Sequence, residues 1–393
     1  MHALLRILLS LLALALCIAT LIPLIRTNAW WVRVFDFPRV QIVVLMLVVF
    51  LAMGAVALWS HRRKKPEASR RTKLWSRAYA LVPILLLAAL AWQLFRIHPY
   101  TALAAHQMED ATFESDAARQ EADTVRLLIY NVRYDNRAVA ELLETIDDTD
   151  PHVILLVEPT NWWHEQLAPL EADYPHTIFQ PQDNHYGVLL YSKLELIDPS
   201  VRFLVDDEVP SIHARLRLPS GRVATLYGLH PKPPGLKRPA DPDRQDSDQR
   251  DAELLIVAKE VADLVKNAAE GVDTPVIVAG DFNDVAWSHT TRLFQRLSGL
   301  LDPRIGRGLH NTYDAKSRVL RFPLDHVFAS EHFRLIALDV LPPMGSDHHA
   351  VLVELALEPT AEATQKEPNE NEGDSEEADE IIEEGHESQD EPG

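Results

Sequence analysis

The sequence predicts an α+β domain carried behind three membrane-spanning helices. Two observations predict it. The first hundred residues hold three apolar segments without a charge, Ile7 to Ile25, Val40 to Ser60 and Ala78 to Phe95. From Val125 to about Leu357, short apolar runs of strand length alternate with a few helical patterns. Crossing a ~30 Å hydrocarbon layer takes ~20 apolar residues as a helix, and all three segments are near that length. Many short strands with a few intervening helices make a layered domain.

The anchor sets an orientation. Trp30, Trp31, Trp75 and Trp92 lie near segment ends, as interfacial aromatics do. No clear small-x-small cleavage site follows the first segment and its only early cation is Arg6, so a retained helix is expected over a cleaved signal. The second loop carries His61-Arg62-Arg63-Lys64-Lys65, then Arg70, Arg71, Lys73 and Arg77; the first has only Arg26, Arg33 and Arg39. Positive loops stay in the cytoplasm. The expectation is a multi-pass membrane protein with its N-terminus inside and everything after Phe95 extracytoplasmic.

Composition divides the chain further. Residues 1–97 are the anchor, and 98–124 are a polar, weakly patterned linker. The domain is expected over 125–357. The stretch 358–393 holds 15 Asp/Glu and one lysine, and is expected to be a disordered acidic tail. The net charge of −20 is uneven, +6 over residues 1–124, −14 over 358–393 and −12 between them, and that acidic middle argues against tight, sequence-blind binding to nucleic acid, where Lys and Arg neutralise phosphates. The one cysteine, Cys17, excludes an intramolecular disulfide and a cysteine-built zinc site.

In the domain, strands are expected at Val125–Tyr130, Val153–Val157, Gly187–Ser192, Val223–Leu229, Val276–Ala279, His326–Ala329 and Ala350–Leu355. Helices are expected over Asn136–Ile146 and Asp251–Ala268, where apolar residues recur on one face. Polar groups then sit where strands end. Asn131 follows Tyr130, Glu158 follows Val157 and His230 follows Leu229. Gly280 leads to Asp281-Phe282-Asn283, Leu324 to Asp325-His326, and Gly345 to Ser346-Asp347-His348. A rigid sheet fixes such groups, so catalytic residues gather there.

The order Asn…Glu…His…Gly-Asp-x-Asn…Asp-His…Ser-Asp-His resembles the endonuclease/exonuclease/phosphatase superfamily. That superfamily includes deoxyribonuclease-like nucleases, neutral sphingomyelinases and inositol-polyphosphate 5-phosphatases. The three-helix anchor and the His230-Pro231-Lys232-Pro233-Pro234 loop are similar to a bacterial membrane-anchored subgroup. The resemblance implies a four-layer α/β-β/α sandwich with its site at one edge of two packed sheets. It also implies Glu158, Asn131 and Asp347 around a magnesium ion, which manganese would replace. Asp281 then takes a proton from the attacking water and Asn283 holds that water or a phosphate oxygen. His348 pairs with Asp325 and, with His230, stabilises charge building on phosphorus. His326 and His349 have no role. One departure is Val157, where many relatives carry Gln before the Glu.

The expected function is a membrane-anchored, Mg-dependent phosphoester hydrolase of the phosphodiesterase or nuclease kind. The substrate would be nucleic acid or phospholipid, and no protein partner is inferred. Two alternatives stand beside it. One is a sphingomyelinase-like phosphodiesterase or phosphatase acting on phospholipid head groups, which the anchor favours through proximity. The other is a catalytically inactive, membrane-tethered binding module.

Overall fold

Three long helices form the first of two units, Met1–Pro99 and Tyr100–Gly393. The structure, a computed structural model, describes residues 2–62, 70–235, 246–268, 274–358 and 361–390. In the first unit α1 (His2–Leu21) leads through a short helix α2 (Trp30–Arg33) to α3 (Arg39–Arg62) and α4 (Arg70–Ile97). Leu4–Leu24, Arg39–Ser60 and Leu81–Tyr100 are long and apolar enough to cross a membrane, with mean hydropathies of 2.7, 2.9 and 1.7. A buried polar chain joins the three. Arg39 donates to Asp36 and to Gln93 Oε1 (2.9 Å), and Gln93 donates to Thr20 (3.1 Å). In an apolar surround an unmet polar group is penalised, so this chain fixes how the helices register. Residues 63–69, with Arg63, Lys64 and Lys65 of the basic loop, lie outside the described residues.

The second unit opens with α5 (Asp116–Glu121), followed by β1 (Thr124–Asn131), α6 (Val139–Thr149), β2 (Val153–Val157) and α7 (Asn161–Leu167). Next come β3 (His176–Gln180), β4 (Val188–Ser192), β5 (Glu195–Phe203), β6 (Pro210–Arg217) and β7 (Val223–Leu229). After these run α8 (Asp248–Ala268), β8 (Val276–Asp281), α9 (His289–Ser298), β9 (Asp325–Ala329), β10 (Phe333–Val340), β11 (Val351–Leu357) and α10 (Asp374–Asp390). One sheet has the order β10-β11-β1-β2-β4-β3 and the other β5-β6-β7-β8-β9. Each holds one parallel pair, β1 with β2 and β7 with β8, and each pair is joined by a helical crossover, α6 or α8.

The layers follow from which faces are apolar. Leu127, Leu155, Leu226, Ile277 and Val353 meet between the sheets. Leu128, Ile154 and Leu189 face outward, under Leu142 of α6 and Trp163 of α7. Val276, Val278 and Phe328 face outward on the other side, under α8 and α9. The result is helix, sheet, sheet, helix: the four-layer sandwich. Burying each such side chain contributes roughly 1.5–3 kcal/mol before entropy is counted.

Two expectations need correction. The acidic tail is not an unstructured extension, because α10 packs along α8. The reason lies in α8, which is buried on nearly every face. One face meets the five-stranded sheet; the other needs a cover, and Ala378, Ile381 and Ile382 of α10 supply it. The acids are partly paired, Asp374 with Arg296 (2.7 Å), Glu377 with His289 (2.8 Å) and Asp379 with Lys259. The linker is likewise no bare tether. Tyr100 is buried, with its hydroxyl donated to the Ala286 carbonyl, and Asp110 bridges to Leu335 beside β10. The strands β3, β5, β6 and β10 are additions to the expected set, as are the helices α7 and α9.

Gly385 is where α10 comes closest to α8. A Cβ there would lie 2.3 Å from Ala252 Cβ and 2.9 Å from the Asp248 carbonyl oxygen. Gly385→Leu should release α10, destabilise the domain by about 1–3 kcal/mol and expose residues 361–390 to limited proteolysis. Wild-type resistance in that variant would refute the packing.

Glu253, on α8, is 3% exposed and its Oε1 has no hydrogen-bond partner among the described residues. Burial, reinforced by Asp206 and opposed by Arg202, pushes its carboxyl up to about 8. A native pKa above the unfolded one gives stability that is complete below the unfolded value, ~4.3. That stability is lost as pH climbs through the native one. Glu253→Gln should therefore melt a few degrees above wild type at pH ~8 and level with it at pH ~4.

Candidate active site

Both sheets end their central strands at one edge, and the polar side chains meet there. The register pairs Asn131 with Val157, Leu229 with Gly280 and Asp281 with Asp325. The last residues of β1, β2, β7 and β8 and the first of β9 are therefore level. Gly280 is what allows it. Its φ is +145°, and a Cβ would lie 1.9 Å from the Leu229 carbonyl oxygen, so only glycine passes β7 here. Glu158 (φ 61°) and Asn283 (φ 50°) are also left-handed, which turns each side chain back toward the edge. Holding a non-glycine residue there costs of order 1 kcal/mol, a strain that concentrates at functional sites.

Asn131 is the hub. Its Nδ2 donates to Glu158 Oε1 (2.8 Å) and to Asp281 Oδ2 (3.1 Å), so one amide ties both sheets together. Its Oδ1 accepts from the Arg133 backbone (3.0 Å), which fixes the amide's direction. The His230 Nε2 lies 4.0 Å from Glu158 and 3.9 Å from Asp281. His348 stands between two carboxylates: Nδ1 is 2.8 Å from Asp325 Oδ2 and Nε2 is 3.5 Å from Asp281 Oδ2. Tyr313 covers the His348 ring at 4.9 Å between centroids.

Charge follows from these distances. Burial alone would lower the His348 pKa, but Asp325, then Asp281, more than reverse this and hold it up at about 10. Burial pushes Asp281 upward, the His348 charge pulls it back, and Asp325 raises it again. One proton thus serves the Asp281–His348 contact, and Asp325 behind the ring keeps it on the imidazole. Burial would also raise Glu158, but His185, His230 and Asn131 bring it down to about 2. His230 is driven to about 4, chiefly by burial.

The other expected residues sit differently. Asn283 lies beside Asp281, yet its Nδ2 donates to the Pro231 carbonyl (2.9 Å) and so anchors the His230–Pro234 loop. Asp347 is 30% exposed and faces Arg133 Nη1 at 3.8 Å. His326 bonds to Arg304 and to the Asp284 carbonyl, and His349 to the Leu341 carbonyl, so neither joins the cluster. Four contributors had no sequence signal. His185 comes from the loop before β4 and lies 3.9 Å from Glu158 Oε2, against Tyr134. Arg133 pairs with Asp347, and Tyr313 covers His348. Buried Arg250 donates to the Asn283 carbonyl (2.9 Å) and supports that turn.

Two arrangements bear on a metal. The ligand atoms of Asp281, Asp325 and His348 lie within 4.8 Å of one another, close enough to hold an ion. Both His348 nitrogens there face carboxylates, and an imidazolium has no lone pair to give. Glu158 is the better fit: an ionised oxygen donor beside an amide, as magnesium and manganese prefer.

A family model described as Endonuclease/Exonuclease/phosphatase family matches residues 128–348. Among solved structures, the human Nocturnin catalytic domain with bound sulfate is 18% identical, at a TM-score of 0.44, over 60% of this chain and 98% of that one. An endonuclease/exonuclease/phosphatase family protein from Bacteroides thetaiotaomicron is 16% identical, TM-score 0.45, over 61% and 97%. D. rerio TDP2 complexed with single-strand DNA product is 18% identical, TM-score 0.46, over 59% and 98%. No curated protein matches the chain. The family match spans more than half of the sequence and takes in Glu158, His230, Asp281, Asp325 and His348, so the chain belongs to the endonuclease/exonuclease/phosphatase family.

Proposed function

We propose that this protein is a membrane-anchored phosphoester hydrolase of the phosphodiesterase or nuclease kind, dependent on a divalent cation, magnesium or manganese. The observation that carries the reading is Asn131 bridging Glu158 and Asp281 beside an imidazolium backed by Asp325. A proton acceptor, a metal-binding carboxylate and a fixed positive charge are what in-line attack on phosphorus requires.

Asp281 receives the proton of the attacking water. Its burial makes it a stronger base than an exposed carboxylate, and Asn131 and the Asn283 backbone N–H (2.9 Å) hold its two oxygens in place. His348 presents its charge to the oxygens of the transition state, where a preorganised donor in a dry site counts most. Asp325 keeps that ring charged and aimed. His230 lends a neutral N–H to the same oxygens. Glu158, supported by Asn131 and with Asp347 at the rim, would hold the cation, which supplies polarisation of the phosphoryl oxygen and support for the leaving oxygen. Asn283 shapes the His230 loop.

We further propose that 1–97 anchors the protein in a bacterial inner membrane, N-terminus inside, with the catalytic unit extracytoplasmic. The bias of Lys and Arg toward the second loop supports this. The catalytic unit then includes parts of 98–124 and of 361–390 as well as 125–357.

Asp281→Asn and His348→Ala should each lower kcat/KM on bis-p-nitrophenyl phosphate by about 10²–10⁴ while leaving the fold intact by circular dichroism. Glu158→Gln should raise the magnesium needed for half-activity, and EDTA should abolish turnover until magnesium or manganese is restored. Wild-type rates in Asp281→Asn, or full activity in EDTA, would overturn the assignment. For topology, alkaline phosphatase fused after Asp123 should be active and green fluorescent protein at that position dark; the reverse pattern would invert the orientation.

A further inference from the structure

The hairpin Thr312–Phe322 flanks the site and carries a tip unlike the rest of the domain. Its base is tied to the catalytic edge. Tyr313 bridges to His348, and the Ala315 N–H donates to the Asp347 carbonyl (2.7 Å). The two arms pair through Thr312, Tyr313 and Phe322. The tip is braced from within. The Ser317 hydroxyl accepts from the Leu320 N–H (2.9 Å), and Arg321 Nε donates to the Ser317 carbonyl (2.6 Å). The tip reads Lys316-Ser317-Arg318-Val319-Leu320-Arg321. Val319 is 70% and Leu320 53% exposed, and Lys316 and Arg318 are exposed as well.

Single exposed apolar residues are ordinary. Here two adjacent ones sit among three cations, in a chain whose net charge is −20. Elsewhere in this unit, among the described residues, Leu103 and Phe203 stand out singly. A basic tip alone would suit any polyanion. Exposed Val and Leu do not serve nucleic acid, whose bases stack on aromatic side chains that this tip lacks. A bilayer surface takes both: lipid phosphates meet the cations and the interface takes the aliphatic pair. The net charge of the chain, −20, is repelled by the same surface, which favours approach through this cationic tip. Trp162-Trp163 is no rival, since Trp163 is fully buried and Trp162 lies under the Arg137 guanidinium at 4.3 Å.

We propose that the 316–321 tip docks into the head-group layer of an anionic bilayer and brings the site to phosphoesters of membrane phospholipids. The docking stands on the hairpin alone; the substrate class rests on the phosphoesterase reading above.

The test uses the full chain with Cys17→Ser, reconstituted in nanodiscs of phosphatidylcholine with about 30% phosphatidylglycerol. Val319→Cys is labelled with an environment-sensitive dye, and Phe203→Cys serves as the control position. The dye at 319 should be quenched at least about twofold by doxyl-labelled lipid and shielded from iodide, and the dye at 203 should show neither. Lys316→Glu/Arg318→Glu should lose that quenching. It should also slow hydrolysis of nanodisc phospholipid by about tenfold or more, with bis-p-nitrophenyl phosphate hydrolysed as before. A dye at 319 that iodide quenches freely and doxyl lipid does not would overturn the docking, even if the soluble ester is hydrolysed. Shielding by a single-stranded oligonucleotide instead of lipid would overturn it in favour of nucleic acid. Lipid quenching with neither ester hydrolysed would uphold the docking, and would reject the phosphoesterase reading and the substrate class with it.

Discussion

The amide of Asn131 is the contact on which the site depends. Two carboxylates, Glu158 from one sheet and Asp281 from the other, point into the same buried edge. Unpaired, they would repel each other and the two sheets with them. A single neutral donor reaches both without adding charge, and the His348 imidazolium balances the Asp281 side. The arrangement therefore keeps one carboxylate anionic and the other close to its proton. Two carboxylates acquire different protonation through their surroundings.

Packing supplies the precision. The sheets interlock through aliphatic side chains, and their parallel pairs β1–β2 and β7–β8 end together, so a shift in either sheet would separate Glu158 from Asp281. The left-handed turns at Glu158 and Asn283 are tolerated because the strands behind them are fully buried. Ser346 adds a further tie: its hydroxyl donates to the Asn131 carbonyl (2.8 Å) and accepts from the His348 N–H (3.1 Å). The hub and the imidazolium are thus held by one side chain.

Much of this was legible in the sequence because buried strands are written as β-branched runs, and their ends as abrupt polar residues. β8 with Asp281, β2 with Glu158 and β7 with His230 are of that kind. What escaped has a physical cause. β5 is half-exposed along its length, and β10 is a sheet edge with only Phe333 and Leu335 buried, so neither writes an apolar run. His185 reaches Glu158 from a loop, where position follows from packing against Tyr134 and no periodicity records it. Asn283 carries the expected side chain beside Asp281, but a hydrogen bond to Pro231 gives it a structural contact that composition does not encode. The acidic segment read as too polar to fold alone. It folds because α8 offers an apolar face, a fact about its partner and not about itself.

That pairing also changes how the charge of the chain should be understood. A net −20 suggests a uniformly repulsive surface toward phosphates. In the fold, nine of the 58 acids lie on α10, over the outer face of the five-stranded sheet, with Lys259, Arg296 and His289 beneath it. The rim of the site is different, with Arg133 beside Asp347. Fields fall away within about 8–10 Å at physiological salt, so a phosphoester at the rim meets Arg133 at close range. An acidic protein and a phosphate-seeking site are compatible once the acid has a fixed place, and the packing of α10 on α8 is what fixes it.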